Sequence, residues 1–344
     1  MTRPGHVMAA EMGEQASALS RLVRSFDDRR DAVATLRPTR GRGVVLVARG
    51  SSDHAAVYGR YLFEWALGTP VVLAAPSLLT RYHRTPDVAG WLTVAISQSG
   101  RTPEIVELLR MLRAAGSRTI AVTNEPGAPL AEHADQTVVL GAGPERAVPA
   151  TKTVTTSFAA LALIADALGG ALWSAADWRA VHQAMTATLA DTGPVEAAAQ
   201  LVADGGASIH LGRGFSYPVA LESALKLKES SSLPAEGAST ADFLHGPIAA
   251  AAGRPGICYA LAGPTHPDVA ALAARLRADG SPVVGVGDRL PAADVTLPVP
   301  DGLPEPLAVL ALLLRAQQLA LAVAIRAGTD PDRPAGLNKI TRTS

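Results

Sequence analysis

The sequence predicts an α/β protein made of two tandem doubly wound parallel sheets related by a pseudo-repeat. Three observations carry that prediction. Short valine-rich apolar runs alternate with helical periods along most of the chain, the pattern of parallel strands covered on both faces. SIHLGRGFSYPVALESALKLKE (208–229) sets beneath VLVARGSSDHAAVYGRYLFE (45–64) without gaps. Arg49, Gly50, Ser52 and Ala56 then fall on Arg213, Gly214, Ser216 and Ala220. Both copies read strand, Arg-Gly turn, helix. The 344 residues suit two ordinary domains, and 48% hydrophobic against 18% charged residues supplies their cores.

In chain order, residues 1–36 read as an N-terminal helical segment, one or two helices over 7–36. The first domain, 37–170, opens with the strand GVVLVA (43–48), the turn RGSSDH and the helix AAVYGRYLFEWALG. The strand PVVLAA (70–75), a helix around 77–82 and the strand WLTVAIS (91–97) follow. PEIVELLRMLRAAG (103–116) is a helix, and RTIAVTN (118–124) and QTVVL (136–140) are strands. A helical stretch over 152–203, with a connector at 171–203, leads to the second domain, 204–330. Its later strands are GICYALAG (256–263), SPVVGVGD (281–288) and VTLPV (295–299), with helices at 267–279 and 304–327. The tail, 331–344, is polar and punctuated by proline and glycine. Lys339 is placed to fold back over a cleft, where a frayed end is the plainer reading.

Lys+Arg and Asp+Glu are both 31, which argues against a nucleic-acid or anionic-membrane surface. The single cysteine, Cys258, excludes an internal disulfide and a multi-thiolate metal site; in GICYALAG it reads as a buried structural thiol. No His/Asp/Glu cluster has metal spacing. The most apolar run, 307–325, carries Arg315, Gln317 and Gln318 in its middle, so it reads as a buried helix and not a bilayer span. MTRPGHVMAAEMGEQ has no apolar signal region. Together these features point to the cytoplasm.

The stretch ISQSGRTPEIVELL (96–109) places Ser97, Ser99 and Thr102 around Gly100 between a strand and a helix. Thr102 sits at a natural N-cap, Pro103 in the first turn, and Gly116 past the end. Free amides, the helix dipole and three hydroxyls at the C-terminal end of a parallel strand suit a phosphate monoester. A nucleotide P-loop would need GxxxxGK[ST], which is absent. An ordinary capped turn is the plainer alternative. Gly50, Ser51 and Ser52 repeat the arrangement at the neighbouring strand, as does AVPATKT (147–153) with Thr151 and Lys152. In the second half the corresponding turn is GPTHPD, so one composite site for the two halves is expected.

Glu222, Lys226 and Glu229 are spaced i, i+4, i+7, on one helix face. A solvated salt-bridged face is the bland reading. The glycine turn that starts the helix, expected to face the cleft, and FLHGP (243–247) close behind shift the balance, since a carboxylate beside a lysine can act as a general base. His245, between Leu244 and Gly246-Pro247, is either a packing residue or a proton carrier in a shaped loop.

SQSGRT, ATKT, ALKLKE, FLHGP and LNKITRTS, in this order, resemble the tandem sugar-isomerase (SIS) family, in particular the isomerase half of glutamine–fructose-6-phosphate aminotransferases. The likeness runs from MAAEMGEQ (8–15) to Ser344. It implies flavodoxin-like SIS domains, a phosphosugar substrate, no cofactor and a homodimer. By resemblance Ser97, Gln98, Ser99 and Thr102 hold the phosphate. Gly50, Ser51, Ser52 and Val148 line the sugar, with Ala150, where the VxSTK motif has serine, and Thr151 beside them. Glu229 would move the proton between C1 and C2, and His245 would open the ring from a neighbouring subunit. Lys226 and Glu222 would assist, with Lys339 near C1/C2.

The chain begins Met1-Thr2 and not with the aminotransferases' catalytic cysteine, so action without glutamine is expected. ARGSSDH and PAGLNKITRT look more like the stand-alone SIS-type (type II) glucosamine-6-phosphate deaminases. That resemblance implies conversion of glucosamine 6-phosphate to fructose 6-phosphate and ammonia. The alternatives are a related isomerase or deaminase acting on galactosamine 6-phosphate or a glycated-amine phosphate, ammonia-dependent synthesis, or a catalytically silent sugar-phosphate sensor.

Overall fold

The structure, a computed structural model, describes residues 3–337 and 339. Its elements are α1 (His6–Gly13), α2 (Gln15–Asp27), α3 (Arg30–Ala34), β1 (Val44–Val47), α4 (Ser51–Leu67), β2 (Val71–Leu73), α5 (Pro76–Thr80), β3 (Leu92–Ile96), α6 (Pro103–Ala114), β4 (Arg118–Thr123), α7 (Pro129–Glu132) and β5 (Gln136–Val139). Then come α8 (Lys152–Gly169), α9 (Ala175–Ala190), α10 (Val195–Asp204), β6 (Ser208–Gly212), α11 (Tyr217–Ser231), β7 (Ala235–Ser239), α12 (Thr240–Leu244), β8 (Gly256–Ala260), α13 (His266–Ala278), β9 (Val283–Gly287), β10 (Val295–Leu297) and α14 (Glu305–Arg326).

Two five-stranded sheets result, ordered β2-β1-β3-β4-β5 and β10-β9-β8-β6-β7. Every pairing is parallel. Counted from its own first strand, each sheet has the order 2-1-3-4-5, the flavodoxin-like doubly wound arrangement. The pseudo-repeat is therefore a repeat of topology. It extends to a charge pair: Arg49 meets Glu104 at 2.9 Å and Arg213 meets Asp268 at 3.6 Å, each acid 55 residues past its arginine.

The described chain forms two compact units. One comprises Ser17–Glu145 and Lys152–Trp178. The other comprises the N-terminal segment up to Ala16, Arg146–Thr151 and Arg179–Lys339. In the first, Val45, Val47 and Ala95 from the strands pack on Ile105, Leu108, Leu109 and Leu112 of α6. In the second, Leu211, Cys258 and Ala260 pack on Val269, Leu272 and Leu276 of α13.

Helix α14 is long and apolar enough to cross a membrane, but its 18-residue apolar window is 83% buried inside the protein. Its polar trio is satisfied internally. Arg315 donates to Pro298 O at 2.8 Å and pairs with Asp191, Gln318 donates to Thr188 O at 3.0 Å, and Gln317 accepts from Gln15 at 2.6 Å. Cys258 is fully buried, and burial pushes its thiol up to about 12, as an inert structural cysteine requires.

Three local expectations need correction. The N-terminal segment holds three helices, because the chain turns at Glu14 and again before Arg30. The 152–203 stretch is three helices, interrupted at Gly170–Ser174 and Asp191–Pro194. Strand β7, AEGAS, had no counterpart in the sequence reading, since it lacks the β-branched residues that mark strands. Small residues stand there because α11 lies against the strand: a Cβ added at Gly237 would come within 2.8 Å of Leu221 Cα.

Candidate functional site

In the first unit, the turns after β1 and β3 sit at the point where the strand order reverses, the usual ligand crevice of such sheets. The Arg49–Glu104 pair joins them. Gly50 precedes α4 with φ 60° and ψ −135°, a conformation for glycine alone. It leaves Ser51 and Ser52 half-buried in the first turn.

The turn after β3 is held from behind. Asn124 N–H and the Thr123 hydroxyl both donate to Gln98 O, at 2.9 and 3.2 Å. Gly100 N–H donates to Ser97 O, and Gly100 O accepts from Leu130 N–H. Gly100 has φ 59°, and a Cβ there would lie 2.5 Å from Ala128 Cβ. Only glycine lets the loop lie this low. Thr102 occupies the N-cap of α6, but its hydroxyl makes no capping bond and lies 3.4 Å from Ser97 Oγ. Ser97 and Ser99 are buried, Gln98 and Thr102 half-buried. The turn thus gathers the hydroxyls of Ser97, Ser99 and Thr102 beside a helix start, where an anion is favoured. Sequence reasoning missed Asn124: its side chain accepts from Ala142 N–H and donates to Gly143 O, each at 2.9 Å, and so fixes the residue that braces Gln98.

The second unit contains the acid–base candidates. Lys226 and Glu222 have no exposed side-chain surface, while Glu229 is 23% exposed. Lys226 Nζ lies 3.4 Å from Glu222 Oε1 and donates to Glu229 Oε2. The spacing did place the three on one face, and burial removes the reading of a solvated face. The three do not lie beside the glycine turn that starts their helix. A helix that follows a strand runs back along the sheet, so Glu229, twelve residues past Tyr217, lies about 18 Å along α11 from its start. The residues at that far end meet the root of the tail: Thr329 donates to Ser230 O at 2.9 Å.

His245 is exposed at the C-cap of α12, before Gly246 with φ 135°. Lys339 Nζ donates to Ala147 O at 2.6 Å. Lys339 therefore lies on the Arg146–Thr151 segment, in which Val148 and Ala150 are half-buried and Thr151 fully buried. The rest of the quoted tail, Asn338 and Ile340–Ser344, lies outside the described residues. Among the described residues no three His, Cys, Asp or Glu side chains gather as metal ligands. A cavity of ≈ 560 Å³ in this unit, walled by Met12, Leu189, Leu321 and Ile325, is lined by none of the sequence-predicted residues.

Two doubly wound sheets in tandem, with hydroxyl-rich turns at one switch point and a buried carboxylate–lysine cluster on the other repeat, define a narrow class of α/β protein. Comparisons place the chain within it. A model described as the SIS domain matches residues 40–167. A structure from Silicibacter pomeroyi DSS-3, provisionally called a phosphosugar isomerase, is 31% identical with a TM-score of 0.83, covering 94% of this chain and 99% of that one. The chain belongs to the SIS-domain family. The glutamine–fructose-6-phosphate aminotransferase [isomerizing] of Methanothermobacter thermautotrophicus is 32% identical over 344 residues, covering 97% of this chain. The match takes in 57% of that relative, so the chain spans little more than half its length. The glucosamine-6-phosphate deaminase of Thermotoga maritima shares the fold, with a TM-score of 0.78 at 23% identity.

Proposed function

We propose that the protein is a phosphosugar aldose–ketose converting enzyme acting on an amino sugar phosphate: glucosamine 6-phosphate to fructose 6-phosphate and ammonia. The observation that carries the reading is the α11 cluster, in which a fully buried lysine stands between two carboxylates and only Glu229 reaches the surface. A structural ion pair has no need of that third, half-open carboxylate; a general base does.

In this reading the turn at Ser97–Thr102 holds the phosphate, and Gly50, Ser51, Ser52, Val148 and Ala150 adjoin the sugar. His245 moves the proton that opens the ring to the C1 aldehyde. Glu229 removes the C2 proton and returns it at C1, and a proton lost from the amine nitrogen is made up on the C1 oxygen, which leaves C1 as CH2OH and C2 as an imine. Water adds at C2 and ammonia departs, giving the C2 ketone. Lys226 and Glu222 hold Glu229, and Lys339 steadies the charge that develops on the C1 oxygen. The exposure of His245 supports its donation to a second copy of the chain.

The test is ammonia release from glucosamine 6-phosphate by the purified protein, beside Glu229→Gln. Equal amounts of ammonia and fructose 6-phosphate, lost in the variant, are expected. Interconversion of sugar phosphates without ammonia would replace the deaminase by a plain isomerase, and binding without any turnover would favour a sensor. Mixing Glu229→Gln with His245→Ala protein should restore activity if His245 serves a partner's site.

A further inference from the structure

The motif MAAEMGEQ, at the N-terminus, is left without a role by the reaction above. Its two buried polar residues reach the same distant segment. Both carboxylate oxygens of Glu11 accept peptide N–H groups, one from Arg146 and one from Ala147, the latter at 3.2 Å. Gln15 donates to Gln317 at 2.6 Å, and Gln317 donates to Thr151 O at 3.3 Å. Glu11 is 4% exposed and Gln15 not at all. The Arg146–Thr151 strap is thus gripped at its first residues by Glu11 and at its last through Gln15.

Lys339 is attached to the same peptide from the other side, since it donates to the carbonyl of Ala147 whose N–H bonds Glu11. The root of the tail is fixed to the same helix. Asp332 accepts from Val7 and Met8 N–H at 2.9 and 2.8 Å, and Asp330 from Gly5 N–H at 3.0 Å. A carboxylate with one acceptor oxygen for each of two successive amides fixes the orientation of that peptide as well as its place. The free N–H groups at the start of α1 favour the Asp332 charge.

We infer that Glu11 and Gln15 are positioning residues: they set the Arg146–Thr151 strap and, through the Ala147 carbonyl, the Lys339 ammonium. The inference rests on the proposed roles of Val148 and Lys339 in binding and conversion of the sugar phosphate. A packing role alone would have asked for apolar side chains at these buried sites, as Met8 and Met12 are against Ala147.

Glu11→Gln tests it, because an amide keeps the volume but offers one acceptor where two N–H groups need one each. Two readouts separate the inference from the activity. Amide hydrogen exchange should rise at Arg146 and Ala147, whose N–H groups Glu11 accepts, and stay unchanged at Ser97–Thr102, whether or not the chosen substrate turns over. With glucosamine 6-phosphate, kcat should fall about tenfold at nearly constant KM, and Glu11→Gln should add little in a Lys339→Ala background. Gln15→Met, which keeps an apolar-compatible volume, should loosen Thr151 in the same way and serves if Glu11→Gln folds poorly. Faster exchange confined to residues 6–13, or effects of Glu11→Gln and Lys339→Ala that multiply independently, would overturn the inference.

Discussion

Removing the Lys226 ammonium alone should be among the most costly single changes in the second unit. At 3.4 Å from Glu222, attraction between unit charges at an effective dielectric near 20 is about 5 kcal/mol before desolvation is set against it. Much of that gross figure offsets the burial of two charges, so the intact pair is worth far less. Lys226→Met keeps most of the stem volume but leaves Glu222 buried beside a second carboxylate and without this cation. Breaking a buried pair in this way costs about 3–5 kcal/mol. Glu229→Gln leaves the Lys226–Glu222 pair in place and changes a side chain that is 23% exposed, so its stability cost should be about 1 kcal/mol while turnover is lost. Urea unfolding followed by circular dichroism gives the three stabilities. The double variant Glu222→Gln/Lys226→Met should recover at least about 2 kcal/mol relative to additive single effects. A Lys226→Met cost under about 1 kcal/mol, or a coupling near zero, would refute the charge argument and leave packing of the lysine stem as the source of the effect.

Two further changes probe the strands and the anion turn. His210 is fully buried on β6; burial first, and then the Lys228 charge, push it down to about 3 from 6.5. Below its unfolded value only the unfolded chain takes up the proton, so this contribution is complete above about pH 6.5 and lost as pH falls toward 3. Stability should drop by about 1.4 kcal/mol from about pH 7.5 to about pH 5.5 on this account, and His210→Gln should flatten that slope; an unchanged slope would show that His210 does not set it. Gly100→Ala, at φ 59° and with a Cβ 2.5 Å from Ala128 Cβ, should cost about 1–3 kcal/mol. Inhibition by inorganic phosphate should weaken about tenfold in that variant, and an unchanged inhibition constant would remove the phosphate from this turn.

The strands were legible because valine-rich runs buried on both faces can hardly be anything else, and the α6 start because Thr102, Pro103 and the preceding glycine each answer to local backbone rules. The α11 cluster was legible as a spacing, but its meaning was not. Lys226 and Glu222 could have lined a wet face, and only their burial against the sheet and α14 settles that they do not. β7 was missed for the converse reason: what makes AEGAS a strand is the helix lying on it, a tertiary fact that erases the local signal. The roles of Glu11, Gln15 and Asn124 were out of reach for a related cause. Each acts on backbone groups 18 to 136 residues away or through one intermediary, and a peptide N–H has no letter in a sequence.

The two repeats diverge in an ordered way. Both keep the strand order and the arginine–acid pair that links the turns after their first and third strands. Exposed pairs of this kind contribute under about 1 kcal/mol, so the pair matters less for stability than for holding two turns in register at the switch point. The first repeat gathers Ser97, Ser99 and Thr102 at that point, whereas the hydroxyls of the second bond its own backbone: Ser216 donates to Tyr259 O at 2.8 Å and Thr265 to Arg213 O at 3.4 Å. The second has Gly263-Pro264 there, with a Cβ at Gly263 excluded by the Glu305 carboxylate at 2.5 Å. A carboxylate packed into the crevice is a poor neighbour for a phosphate. The candidate chemistry of the second repeat stands instead at the opposite end of α11, next to the tail. The repeat carried the scaffold into both halves, and in the function proposed above the two ends of the βα unit carry different tasks, the switch point in the first repeat and the far end of the helix in the second.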